Sequence, residues 1–320
     1  MRRLPLLTPK QYSRVAFWAL LMLMGIVLTG AGVRLTGSGL GCPDWPQCHG
    51  GVAPPLETHA VIEYGNRILS GLVGITAAAA GLLAFRRRPF RRDLAMVGML
   101  LPLGVLGQAV LGGFTVRYHL APGFVMGHYG LSMLLLTAAV TLLWRSRHEP
   151  GSRPRSTDRL SVWSVRALLP LGAITVFFGT AATASGPHAG GAGTGDVIDR
   201  LEWRGDDTLA WAVSQHGRLA TLLGLASVAV WVLLKRRGTN PRALRSMTLL
   251  CCMLAAQGVI GIVQYQLELP SEIVWVHVGL GAFIWVSILF AAAAAGRLAP
   301  REVGARTVAR APTGSRAPTG

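Results

Sequence analysis

The chain has 320 residues, 51% of them hydrophobic and only 14% charged, with a formal net charge of +17. So basic a chain invites comparison with nucleic-acid binders, but its arginines alternate with long apolar runs, and that pattern excludes the class. A helix needs roughly 20 apolar residues to cross a bilayer, and such runs fall at about 15–35, 66–85, 94–114, 124–143, 165–184, 211–234, 246–263 and 274–295.

The first run is longer than the core of a signal peptide and seven more follow, so it reads as a retained span. The connection after it, "LGCPDWPQCHGG", holds Cys42 and Cys48 among turn-forming residues, with His49 and His59 nearby. Five intervening residues permit a disulfide on an oxidising side; a structural staple and a redox-active pair both remain open. The second span opens with "VIEYGNRILSGLVG", where Glu63 precedes Asn66 by three residues and Arg67 by four. If the helix already runs there, Glu63 and Asn66 share a face. Glu63 then either stabilises developing positive charge and moves a proton, or simply pairs with Arg67. The fourth span begins "GFVMGHYGLSMLLL", which puts His128 in an apolar helix.

Lys and Arg concentrate in alternate connections: 25 of 31 lie at the N-terminus, in the second, fourth and sixth connections, and after the last span. By the positive-inside rule both termini are cytoplasmic. Ten of the 14 acidic residues fall on the other side. The arginine-rich loops favour an acidic electron donor of ferredoxin-like kind, although topology alone also explains them.

The second half repeats the first. Set with a shift of 149, "GQAVLGGFTVRYHLAPGFVMGHYGLSML" and "AQGVIGIVQYQLELPSEIVWVHVGLGAF" share eight identities in 24 positions, among them Gln108 with Gln257, Gly112 with Gly261 and His128 with His277. With four spans each, the halves face the same way. The expected fold is an all-α integral membrane protein whose eight transmembrane helices form two pseudo-symmetric, parallel four-helix bundles. The expected divisions are a cytoplasmic N-terminus (1–14), an N-terminal four-helix bundle (15–145), a cytoplasmic linker (146–164), a C-terminal four-helix bundle (165–296) and a disordered cytoplasmic tail (297–320).

A lone histidine in an apolar helix is commonly a satisfied hydrogen-bonder. Repetition changes the balance. His128, His216 and His277 each begin a span that enters from the same side, so all three sit at similar depth. His216 and His277 can face one another in the second bundle and hold a porphyrin iron from both sides. A tetrahedral zinc would need two more donors. In the first half, a shift of 150 places Asn66 where His216 stands. That bundle offers one strong imidazole, His128, as suits a haem that arrives, reacts and leaves.

Together, "TGSGLGCPDWPQC", "IEYGNR", His128, His216, His277 and the eight spans resemble the haem A synthase family, over about residues 15–295. The resemblance implies oxidation of the C8 methyl of haem O to a formyl group by successive hydroxylation and loss of water, giving haem A for terminal oxidases. It implies a haem b cofactor on His216 and His277, a substrate haem at His128, a catalytic Glu63 and a Cys42–Cys48 disulfide. The family commonly shows Glu-x-x-His-Arg where this chain has Glu-Tyr-Gly-Asn-Arg, so the substrate iron is held by His128 alone, or another residue or water completes it. A haem O synthase is a candidate contact, the bilayer is the solvent and nucleic acid is not a partner. The competing reading is a non-catalytic cytochrome b-type electron-transfer subunit; a transporter would show charged or unwound segments at mid-membrane, which this chain lacks.

Overall fold

The computed structural model describes residues 6–299. Eight helices run through it in order: α1 Pro9–Leu35, α2 Thr58–Leu83, α3 Arg92–Arg117, α4 Pro122–Arg147, α5 Arg159–Ser185, α6 Thr208–Arg236, α7 Pro241–Gln266 and α8 Ser271–Ala295. Among the described residues, these eight are long and apolar enough to cross a membrane. All begin before the apolar runs read from the sequence, and polar side chains cap three of them, α1, α5 and α7. Thr8 accepts from the Gln11 N–H and Gln11 reaches back in a capping box on α1, satisfying donors that a helix start leaves open. Asp158 accepts from the Ser161 N–H at the start of α5, and Asn240 from the Arg242 N–H at the start of α7. Pro9, Pro122 and Pro241 stand where a missing N–H costs nothing.

Each half closes on itself. α1 packs on α2 and α4, and α3 completes the ring between them; α5 to α8 repeat the pattern. Contacts of α8 with α1 and α4, and of α4 with α5, join the halves. Two tryptophans of α8 fasten that seam by donating to carbonyls of the first half, Trp275 to Leu28 at 2.8 Å and Trp285 to Met133 at 3.1 Å. An indole N–H at apolar depth, whether lipid-facing like that of Trp275 or buried like that of Trp285, needs such an acceptor. Around Tyr12, Leu101, Leu136 and Ala139 lies one buried core, which Ala282 and Trp285 of α8 also enter; a second surrounds Val165, Leu168, Leu250 and Ile288. Large apolar side chains such as Ile75, Leu106, Leu225 and Val259 stay exposed on the outer helix faces, as lipid-facing positions do.

At the arginine-rich side, Arg297–Leu298 pairs in parallel with Arg155–Ser156. The tail expected from residue 297 therefore starts with an ordered ladder; positions 300–320, like 1–5, lie outside the described residues. Gly296 makes the turn possible. Its φ is +88°, and a Cβ there would stand 2.7 Å from the Pro154 carbonyl oxygen.

Candidate functional site

His216 lies in the third turn of α6, and His277 and His128 lie in the second turns of α8 and α4. They are thus deeper than the first-turn placement that the apolar runs implied, about 10 Å along each helix at 1.5 Å per residue. The rings of His216 and His277 face each other with centroids 6.1 Å apart and planes at 73°. Nδ1 of His216 donates to the Thr175 carbonyl at 2.9 Å; a carbonyl can only accept, so the lone pair resides on Nε2. A histidine meets a metal in that state.

A small-residue notch seats each imidazole. A Cβ on Gly179 of α5 would come within 3.0 Å of His216 Cε1, one on Gly261 of α7 within 3.2 Å of His277 Cε1, and one on Gly112 of α3 within 3.5 Å of His128 Cε1. The carbonyls of His128 and His277 are also held alike. Gln108 Nε2 donates to the first and Gln257 Nε2 to the second, both at 3.0 Å. Gln108 also donates to Ser132 Oγ at 2.7 Å. The repeat carried Gln108/Gln257 and Gly112/Gly261 as identities, so the signal was present although its purpose was not. The Thr175 carbonyl, a backbone group from a distant helix, left no trace in the sequence.

The pair fits a ring-bound iron. Two imidazole nitrogens each about 2 Å from one metal put the ring centroids about 6 Å apart, which is the spacing observed. The Nδ1 atoms of His128 and His277 are buried with no hydrogen-bond partner, an environment with a polar group still to be satisfied. Among the described residues no three His, Cys, Asp or Glu side chains converge as a metal site. Two facing donors suit a metal whose equatorial positions a planar ring already fills.

In the first half the corresponding place is differently built. Asn66 Oδ1 accepts from Thr29 Oγ1 of α1 at 2.8 Å. Glu63 is buried, and both of its oxygens are committed: Oε2 accepts from the Cys42 N–H at 2.7 Å, and Oε1 pairs with Arg67 at 2.5 Å. Arg67 also donates to the carbonyls of Asp44, Gln47 and Cys42, at 2.8, 2.6 and 3.0 Å. Helix α2 already runs at Glu63, so Glu63 and Asn66 do lie one turn apart, but neither hydrogen-bonds to His128. The Glu63–Arg67 pair anchors the connection between α1 and α2. Arg67 as a clamp on that loop was missed, because its acceptors are carbonyls some 20 residues away in sequence.

Cys42 and Cys48 form a disulfide inside this clamped loop. Asp44 takes the N–H groups of His49 and Gly50, both at 2.7 Å, and the Gly50 N–H first among several donors holds its carboxyl below the ordinary value. His59 Nδ1 bonds Ser38 Oγ at 2.8 Å, and His49 Nε2 bonds the Gly41 carbonyl at 3.0 Å; neither joins the cysteines in a metal site. Trp45 packs on Gly113 of α3, closing the loop over the first half.

A sequence model of the family described as cytochrome oxidase assembly protein matches residues 13–61 and 56–290. The chain belongs to the haem A synthase family. It is similar to proteins named haem A synthase from Alkalihalophilus pseudofirmus, 31% identical over 47% of this chain and 52% of the relative, and from Halalkalibacterium halodurans, 34% identical over 39% and 43%. It is also similar to a Thermus thermophilus protein named protoheme IX farnesyltransferase, 31% identical over 89% of this chain and 49% of that protein. The chain spans about half the length of the curated relatives it matches. Membership of the haem A synthase family, with eight apolar helices, makes this a multi-pass membrane protein.

Proposed function

We propose that the chain is a haem A synthase: it binds haem O in the first bundle and oxidises its C8 methyl to a formyl group by successive hydroxylation and loss of water. The observation that carries this reading is the facing pair His216 and His277, at the spacing two axial imidazoles require. A haem b held there would supply one-electron transfer to the neighbouring half. The chain's own residues divide the remaining work. His128 binds the substrate iron from one side, while Asn66, engaged by Thr29, leaves the other side without a strong protein donor. Glu63 contributes a fixed carboxylate one turn from Asn66, held by Arg67 and the Cys42 N–H; in this reading it acts on charge near the substrate. The clamped, disulfide-closed loop excludes water from above. The resulting haem A would serve terminal oxidase assembly.

Both termini are assigned to the cytoplasm of a cell membrane, on the arginine count. Electrons would come from an acidic, ferredoxin-like donor at that face. The likeness over most of this chain to part of a protein named protoheme IX farnesyltransferase supports a haem O-forming enzyme as neighbour. Incubating the purified chain in air with haem O and a reducing system, so that dioxygen is present as oxidant, tests the reading: formation of haem A supports it. Retained haem b without conversion would mark a cytochrome b-type relay instead.

A further inference from the structure

The arginine-rich side holds a cavity of about 200 Å³ at the seam between the halves, toward the helix ends opposite His128, His216 and His277. Arg145 enters it from α4, Arg153 from the linker, Arg166 from α5 and Arg297 from the ladder after α8; Val140 and Leu289 form an apolar wall. No Asp or Glu lines it.

Its charges are not balanced from within. Arg153 reaches Asp93 through one nitrogen at 2.6 Å, while its Nε is buried with no partner. The side chain is only 10% exposed. Asp93 is already shared with Arg91 at 2.9 Å. Arg166 donates to the Gly296 carbonyl at 3.0 Å and lies over the Trp163 ring. Among the described residues Arg145, Arg166 and Arg297 make no ion pair. Residues 300–320 carry Glu302 as their one acid against four arginines. Topology asks only that arginines face water on this side; it does not ask four of them to converge on a pocket with an apolar wall. Like charges gathered in a partly dry site are costly without a counter-ion.

We propose that this cavity is a binding site for a phosphate group, and that an anionic phospholipid supplies it, its headgroup among the four arginines and its chains along Val140 and Leu289. Arginine's planar fork suits phosphate oxygens, and basic pockets between helices at this face are where anionic headgroups bind. At about 30 Å³ per water, the volume exceeds what one or two waters fill. Because Arg145 belongs to the first half and Arg166 to the second, the bound headgroup bridges the two bundles.

The test uses the full chain, purified in neutral detergent and stripped of lipid. Thermal unfolding is followed with added dioleoyl phosphatidylglycerol, with dioleoyl phosphatidylcholine and with inorganic phosphate. Phosphatidylglycerol is expected to raise Tm by several degrees over phosphatidylcholine, in a concentration-dependent way. Arg145→Gln with Arg166→Gln should weaken the apparent affinity about tenfold or more, whereas Arg236→Gln, exposed at the end of α6, should not. Equal stabilisation by inorganic phosphate, lost in the same double variant, would support the phosphate site and overturn the lipid as its source. No shift with either anion, or one unchanged in the double variant, overturns the site. Should the double variant not fold, native mass spectrometry of the unaltered chain decides: one retained phosphatidylglycerol in preference to phosphatidylcholine is expected, and none overturns the proposal.

Discussion

Thr175 of α5 accepts Nδ1–H of His216 of α6 across 2.9 Å, and one turn further along α5 Gly179 lies against the same ring. One residue sets the tautomer and the other makes room. Alanine at Gly179 would bring its Cβ within 3.0 Å of His216 Cε1, whereas a Cβ on Gly32 of α1 would meet only Trp275 Nε1, at 3.8 Å. Pushing a ring off its rotamer costs about 0.5–1.5 kcal/mol. Gly179→Ala should therefore lower haem retention by up to about tenfold, and Gly179→Val should lower it further. Gly32→Ala should leave retention near the unaltered value. Pyridine haemochrome content per chain measures each.

Asn66 occupies the place of a histidine and gives its oxygen to Thr29. Asn66→His should add a second imidazole to the first half and raise the haem retained after purification, read as haem per chain. His128→Ala should do the reverse for substrate. Losing a sole protein donor is expected to weaken haem O binding by about 10–100-fold or more, since outer partners of a ligand alone are worth that much. The resident haem spectrum should stay largely intact, because His216 and His277 belong to the other bundle.

Glu63 and Arg67 are both largely buried, with side chains 8% and 16% exposed. Breaking a buried pair from one side costs about 3–5 kcal/mol; Arg67 keeps three carbonyl acceptors, so Glu63→Gln should cost less, about 2–3 kcal/mol by the same reasoning. Arg67→Lys should free the loop more than it alters the helix, because an ammonium cannot span three carbonyls as the guanidinium does. Limited proteolysis between residues 40 and 57 should quicken in both variants. Unchanged proteolysis with lost haem A formation would assign Glu63 to chemistry alone.

The fold was legible where the signal was local. Apolar runs located all eight helices, and the shift that aligned His128 with His277 also aligned Gln108 with Gln257, although their matching bonds to the histidine carbonyls were not read from it. Helix α2 starts eight residues before its apolar run because Glu63 breaks the hydropathy window; Glu63 and the neighbouring Asn66 and Arg67 all find partners in the structure. Apart from the Glu63–Arg67 pair, which the i,i+4 spacing offers, those partners are backbone groups of a loop or a side chain of another helix, and no spacing in the sequence specifies them. Likewise Trp275 reads as an ordinary membrane aromatic, yet it reaches a carbonyl 247 positions away. The repeated histidines could be placed on their helices; the groups that orient them could not.

At the arginine-rich side, Asp158 caps α5 and bonds Arg237 at 2.7 Å. That guanidinium, followed by the Ser161 hydroxyl and N–H, holds the Asp158 carboxyl down at about 2, from an ordinary 3.8. Folding favours the ionised form, so the contribution is fully present above the unfolded value and disappears as pH falls through about 2. The Tm difference between the unaltered chain and Asp158→Asn should be constant from pH 7 to 5 and shrink between pH 4 and 2. A difference independent of pH across that window would contradict the assignment.

One haem iron held between His216 and His277 is what the proposed function rests on. Its most direct measurement is the haem content and spin state of the purified chain beside His216→Ala and His277→Ala, by pyridine haemochrome and electron paramagnetic resonance. About one low-spin, six-coordinate haem b per unaltered chain is expected, with that signal lost in either variant. A folded chain without haem, or variants that keep the low-spin signal, would contradict it.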